Sequence, residues 1–190
     1  RLRARAGLRG SVNVPAVRTL LLPGDEPFRD RLWDTGYRGL TESGEYYGYS
    51  LALGSAEVTL VEQAAAFRSL ARGGRWAPLH VRKDAKAEPD RATTTPQAGW
   101  LVADMLADPN ARASTFGMDS ALRLPFWAAV KTGTSKAMRD NWCVGFTDRY
   151  TVAVWVGNLE GDPMRAVSGT SGAAPVWRDV MMALHAQVPG

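Results

Sequence analysis

Phe126-Trp127-Ala128-Ala129-Val130-Lys131-Thr132-Gly133-Thr134-Ser135 turns from apolar to polar at its midpoint, and the fold of the whole chain can be read outward from it. The run from Phe126 to Thr132 predicts a strand that delivers Lys131 to the rim of a site. Gly133 removes a side chain and lets another backbone lie alongside that strand. Thr132 and Thr134 offer hydroxyl groups, and Lys131 a fixed positive charge. Together they suit an extended peptide ending in a carboxylate, held by β-type pairing and by the cation. The plainer reading is a lysine-ended edge strand followed by a turn. A match to K-T-G-[ST] arises by chance in a chain this long only about once in a hundred, given average composition.

Downstream, two more strands are expected, from Trp142 to Phe146 and from Tyr150 to Gly157, with a hairpin turn at Thr147-Asp148-Arg149. Alternation puts Trp142, Val144 and Phe146 on one face, and Val152, Val154 and Val156 likewise share a face. Pro175 opens a last helix to about Ala186, with Val176, Val180, Ala183 and Leu184 as its apolar side. Upstream the pattern is helical. Ser11 to Leu22 reads as a loop entering a short apolar helix with Pro15 near its first turn. A second short helix runs from Glu26 to about Asp34, and Thr41 to Ser55, rich in Gly, Ser and Tyr, reads as loop. Thr59 and Glu62 form a capping box for the clearest helix, which Gly73-Gly74 ends. Its residues Leu60, Ala64, Phe67 and Leu70-Ala71 are expected to face the core. Arg75 to Val81 reads as an edge strand and Lys83 to Thr95 as an irregular polar connection. Pro96, capped by Thr95, opens a helix to about Ala107. Helices followed by an antiparallel meander and a closing C-terminal helix make an α+β domain.

The 190 residues are one domain's worth, and 45% hydrophobic with 22% charged residues is ordinary for a globular chain. No apolar run approaches the roughly 20 residues of a membrane helix. The basic start, Arg1 to Arg9, is no signal peptide, because Asn13, Pro15, Arg18 and Pro23 break the run that follows. The absence of an initiator Met fits a fragment or processed product. Net charge is +4, and the 19 Arg and 4 Lys are interspersed with acids, as in Arg29-Asp30-Arg31. That is a solvated basic surface rather than a nucleic-acid stripe. The seven Trp are expected to fill core. Cys143, the only cysteine, reads as a buried structural thiol and excludes an intrachain disulfide. Nothing suggests a cofactor, and no H-E-x-x-H or His/Cys/Asp cluster suggests a metal. His80 and His185 have no G-x-S-x-G partner.

K-T-G belongs to a motif trio, S-x-x-K, S-x-N and K-T-G, of serine acyl-transfer enzymes. Ser11-Val12-Asn13 supplies the second member in the right order, within Ser11-Val12-Asn13-Val14-Pro15-Ala16-Val17. That stretch resembles the corresponding one of the class A, bifunctional penicillin-binding proteins. Similar likenesses are Ser50-Leu51-Ala52-Leu53-Gly54, Val58 to Ala66, Asp140-Asn141-Trp142 and Trp155-Val156-Gly157-Asn158. Arg139 to Trp142 with Arg149-Tyr150, and Gly172 to Val176, look most like the penicillin-binding protein 1C subgroup. The likeness spans essentially the whole chain, with Lys83 to Thr95 the least assignable part. The first motif is missing: His80, Lys83, Ala128 and Gly133 stand three places before the four lysines, and none is Ser.

The resemblance implies the C-terminal part of a transpeptidase domain, an α+β fold of helices and antiparallel sheet with a C-terminal helix packed on it. The N-terminal portion with S-x-x-K lies outside the chain. It implies acyl transfer through a serine acyl-enzyme, acting on peptidoglycan stem peptides, with β-lactams as mimics. Ser11 would relay a proton, Asn13 would hold the substrate amide and the missing lysine, and Lys131 would hold charge beside Ser11. Thr132 and Thr134 would bind the terminal carboxylate along Gly133, and the Thr134 N–H would form half an oxyanion hole. The fragment alone would be inactive. Its partners would be stem peptides, β-lactams and the upstream part of the same domain. No nucleic acid is implied. The place implied is the periplasmic face of the bacterial inner membrane, through an upstream anchor. Three alternatives stand beside this. One is a class A β-lactamase, whose deacylating glutamate Glu88 matches only loosely. The second is a non-catalytic penicillin- or peptide-binding sensor or scaffold. The third is a nucleic-acid-binding module resting on pI alone.

Overall fold

A computed structural model describes residues 4–107, 122–165, 167–168 and 170–187. Arg1 to Arg3 of the basic start lie outside the described residues. The chain divides into two compact units, Arg1–Met105 and Leu106–Gly190.

The first unit is helical. It comprises α1 (Ala4–Arg9), α2 (Asn13–Leu20), α3 (Asp25–Asp34), α4 (Gly44–Tyr47), a 3₁₀ turn (Gly48–Leu53) and α5 (Leu60–Ala71), and α6 (Pro96–Ala107) follows at its end. The capping box of α5 is present: Thr59 Oγ1 accepts from the Glu62 N–H at 3.2 Å, and Glu62 accepts from the Thr59 N–H at 2.9 Å. Thr95 Oγ1 caps α6 by accepting from the Ala98 N–H. Thr41 to Ser55 is not the expected loop. Ser43 accepts from the Tyr46 N–H and starts α4, and the 3₁₀ turn continues to Gly54. Hydrogen bonding by Ser43 started helix where hydrophobic periodicity gave no signal. The expected edge strand shrinks to β1 (Arg75–Trp76), paired with β2 (Arg91–Ala92) inside the polar connection. The buried face of α5 is Ala65, Ala66 and Ser69, whereas Leu60 is 42% exposed. Small residues lie where α5 is fully covered, and the larger ones border that strip.

The second unit is a three-stranded antiparallel sheet under one helix. β3 (Ala129–Thr134), β4 (Asp140–Phe146) and β5 (Thr151–Gly157) pair in that order, and α7 (Ala173–Ala186) packs on one face. β3 begins three residues later than expected and runs through the whole of Lys131 to Thr134. The hairpin turn is as read, with the Thr147 N–H donating to the Tyr150 carbonyl at 2.8 Å. The core is Val130 and Cys143 with the half-buried Val152, Val154 and Val156, against Ala173, Ala174, Trp177 and Met181. α7 is therefore turned from the expected side. Trp177 and Met181 are fully buried, while Val176 and Val180 are exposed. A Trp buries more apolar area than a Val, so it decides which stripe faces the sheet. The seven Trp do not all fill core: Trp177 does, but Trp100 and Trp127 are more than half exposed. Cys143 is fully buried, as expected.

Candidate active site

β3 positions the K-T-G residues by strand alternation. Val130 and Cys143 face α7, so Thr132 and Thr134 share that side, and Lys131 and Gly133 point to the other. β3 pairs with β4, and no other strand among the described residues pairs with it. Thr132 is buried and Thr134 exposed. Lys131 is half-buried, and its Nζ donates to the Thr132 carbonyl at 2.6 Å. Burial holds its pKa below the usual lysine range, and the Cys143 thiol acts in the opposite direction. A Cβ added to Gly133 would meet only Trp142 Cβ, at 3.6 Å. That is ordinary contact, so the fold itself does not require glycine there.

Beyond the strand, residues 135–140 close a tight loop. The Ser135 N–H donates to the Asp140 carbonyl at 3.0 Å, and Ser135 Oγ accepts from the Asp140 N–H at 2.9 Å. Ala137 and Met138 have φ of 59° and 56°, a left-handed conformation rare without glycine. Asp140 anchors the loop by accepting from Trp155 Nε1 at 3.0 Å. Asn141, the register partner of Thr134, is fully buried. The sequence reading missed both features. Non-glycine residues conceal the strained turn, but a polar Asn141 inside an apolar strand was a visible signal.

The S-x-N residues lie in the first unit, at the junction of α1 and α2. Ser11 has φ of 50°, and its N–H donates to the Leu8 carbonyl at 3.3 Å. Val12 precedes α2 as its N-cap, and Asn13 is the first helical residue. All three are exposed. α2 packs against the 3₁₀ turn of Gly48–Leu53, so two stretches that carry the family resemblance support each other. The structure thus places Lys131, Thr132, Gly133 and Thr134 on one strand, and Ser11 and Asn13 together at a helix junction of the other unit. Glu88 is exposed in the irregular segment. No group of three His, Cys, Asp or Glu that could hold a metal ion occurs among the described residues.

Residues 2–182 match the family described as the penicillin binding protein transpeptidase domain. The chain belongs to that family. Among its relatives, penicillin-binding protein 1C of Escherichia coli is 32% identical over 172 residues, covering 90% of this chain and 21% of that protein. Penicillin-binding protein 1A of Aquifex aeolicus is 30% identical, covering 97% of this chain and 26% of that protein. The chain thus spans roughly a quarter of these relatives' length. Its fold is similar to that of PonA1 from Mycobacterium tuberculosis in complex with penicillin V. The TM-score is 0.81 at 21% identity, over 98% of this chain and 57% of that one. Penicillin-binding protein 1A from Haemophilus influenzae gives 0.78 at 20% identity, over 99% and 35%. The expected fold and the expected likeness to penicillin-binding protein 1C both hold.

Proposed function

We propose that this chain is the C-terminal part of the transpeptidase domain of a peptidoglycan D,D-transpeptidase, supplying the S-x-N and K-T-G motifs while an upstream segment supplies the S-x-x-K serine. The observation that carries this is the K-T-G strand β3, where Lys131 and Gly133 share a side and Gly133 has no packing duty. An extended acyl-D-Ala-D-Ala peptide can lie along such a strand with no side chain at Gly133 in its way.

In this reading the serine attacks the penultimate D-Ala carbonyl, and the terminal D-Ala leaves as its amine takes a proton. Ser11 relays that proton and then accepts one from the incoming stem-peptide amine. Asn13 holds the substrate amide and the S-x-x-K lysine. Lys131 supplies positive charge that favours the relay. Thr132 and Thr134 bind the terminal carboxylate, and the Thr134 N–H donates to the developing oxyanion. β-Lactams acylate the same serine because their ring carbonyl stands where the peptide carbonyl does. The location we propose, in keeping with the family likeness, is the periplasmic face of the inner membrane, with an anchor upstream. No helix among the described residues is long and apolar enough to cross a membrane.

The test is reconstitution. This chain, mixed with the upstream half of its domain and a fluorescent penicillin, should yield a covalently labelled complex, and the chain alone should not label. Confirmed assembly without labelling would reject the catalytic reading and leave a penicillin- or peptide-binding module.

A further inference from the structure

On the face of the sheet under α7, the buried polar residues are Thr132 and Asn141. Asn141 is fully buried, and among the described residues neither its Oδ1 nor its Nδ2 has a hydrogen-bond partner. Burying an amide with nothing bonded to it is costly, because the water it gives up is not replaced by another partner.

The N-terminus of α7 poses the matching problem. Gly172 caps this 14-residue helix without a side chain. Its own N–H is occupied, donating to the Ser168 carbonyl at 2.7 Å. Pro175, third in the helix, has no N–H. The first-turn donors that remain for an outside acceptor are those of Ala173 and Ala174, both fully buried. Asn141 points at this terminus. Its Oδ1 stands 3.3 Å from where a Cβ on Gly172 would sit.

We propose that Asn141 and the first turn of α7 together bind one internal water molecule. The donor count selects the ligand. Two backbone N–H groups and the amide Nδ2 require acceptors, while the amide Oδ1 requires a donor. A single water can accept from two of these donors and donate to Oδ1, which matches the roughly three hydrogen bonds typical of buried waters. A carboxylate or phosphate accepts only, and it would face Oδ1 with like polarity. Because Asn141 is the register partner of Thr134, the bridge ties α7 to the sheet beside the end of the K-T-G strand.

A crystal structure of the full-length protein, at a resolution that shows ordered solvent, tests this directly. One water should lie within hydrogen-bonding distance of the Asn141 amide and of the Ala173 or Ala174 N–H. A direct bond from Asn141 to those N–H groups, or an anion in that place, would overturn the proposal. Thermal unfolding gives an independent reading. Asn141→Leu expels the water and should lower the Tm of the domain by about 3 °C. An unchanged or raised Tm would mean that Asn141 was merely unsatisfied, since replacing such an amide by an apolar group is neutral or stabilising. Asn141→Ala keeps the N–H groups and adds room, so its crystal structure should show a second water where the amide was. An empty space there would equally count against the bridge.

Discussion

Gly133 and Gly145 lie on neighbouring strands of one sheet, yet they are glycine for opposite reasons. A Cβ on Gly145 would stand 2.5 Å from the Ala129 carbonyl oxygen and 2.6 Å from Trp177 Cζ2. The sheet needs that space for α7 to seat its tryptophan. A Cβ on Gly133 would make one ordinary contact. Packing accounts for the first glycine and not for the second, to which the proposed function gives a place beside the substrate. The same division separates Trp177, wholly inside, from Lys131, which is held half-buried although burial disfavours its charge.

Substitution at Lys131 is the hardest test of that division. In the full-length protein, Lys131→Met should reduce acylation by a fluorescent penicillin by about a hundredfold or more. Its unfolding midpoint should stay level or rise, because a partly desolvated charge has been removed. Undiminished acylation would move Lys131 to the structural side. Gly145→Ala should do the reverse. It forces backbone and ring apart and costs about 2–3 kcal/mol in chemical denaturation, while acylation per folded molecule is retained. Gly133→Ala should change stability by less than about 1 kcal/mol and slow acylation about tenfold, as the new methyl meets the substrate backbone. Equal losses of stability at the two glycines would erase the contrast.

The smallest expected effect is in pH dependence. The folded-state pKa of Lys131 lies below its unfolded value, so folding opposes its protonation. The resulting destabilisation is present in full below the lowered pKa. It is relieved as pH rises from there to the ordinary lysine range. Relative to Lys131→Met, the wild type should therefore gain stability across that alkaline interval, as urea titrations at stepped pH would show. Acylation should fall as pH rises through the lowered pKa, where the folded protein loses the charge. A stability difference between the two proteins that is flat with pH would contradict the assignment.

Much of this was legible in the residues. The K-T-G strand, the hairpin turn, the Thr59–Glu62 box and the Pro96 helix rest on local chemistry, and each lies close to where it was read. What failed were judgements about sides. Val176 and Val180 match a helical apolar stripe as well as Trp177 and Met181 do, and only the sheet surface chooses between them. The Ser43 helix was missed because its start is a hydrogen bond, not a period. Ser11 and Asn13 are proposed from order and motif alone, while the left-handed backbone at Ser11 carries no mark in the residue type.

The residues alone specify the family, the strand that carries Lys131 and Gly133, and the order of the longer helices and strands. These follow from short-range patterns, namely caps, alternation and a four-residue motif. Tertiary structure decided which side of α7 is buried, which glycine is obligatory, and that Asn141 lies sealed beneath a helix terminus. Those outcomes depend on atoms distant in the chain competing for the same space, and no local pattern encodes that competition.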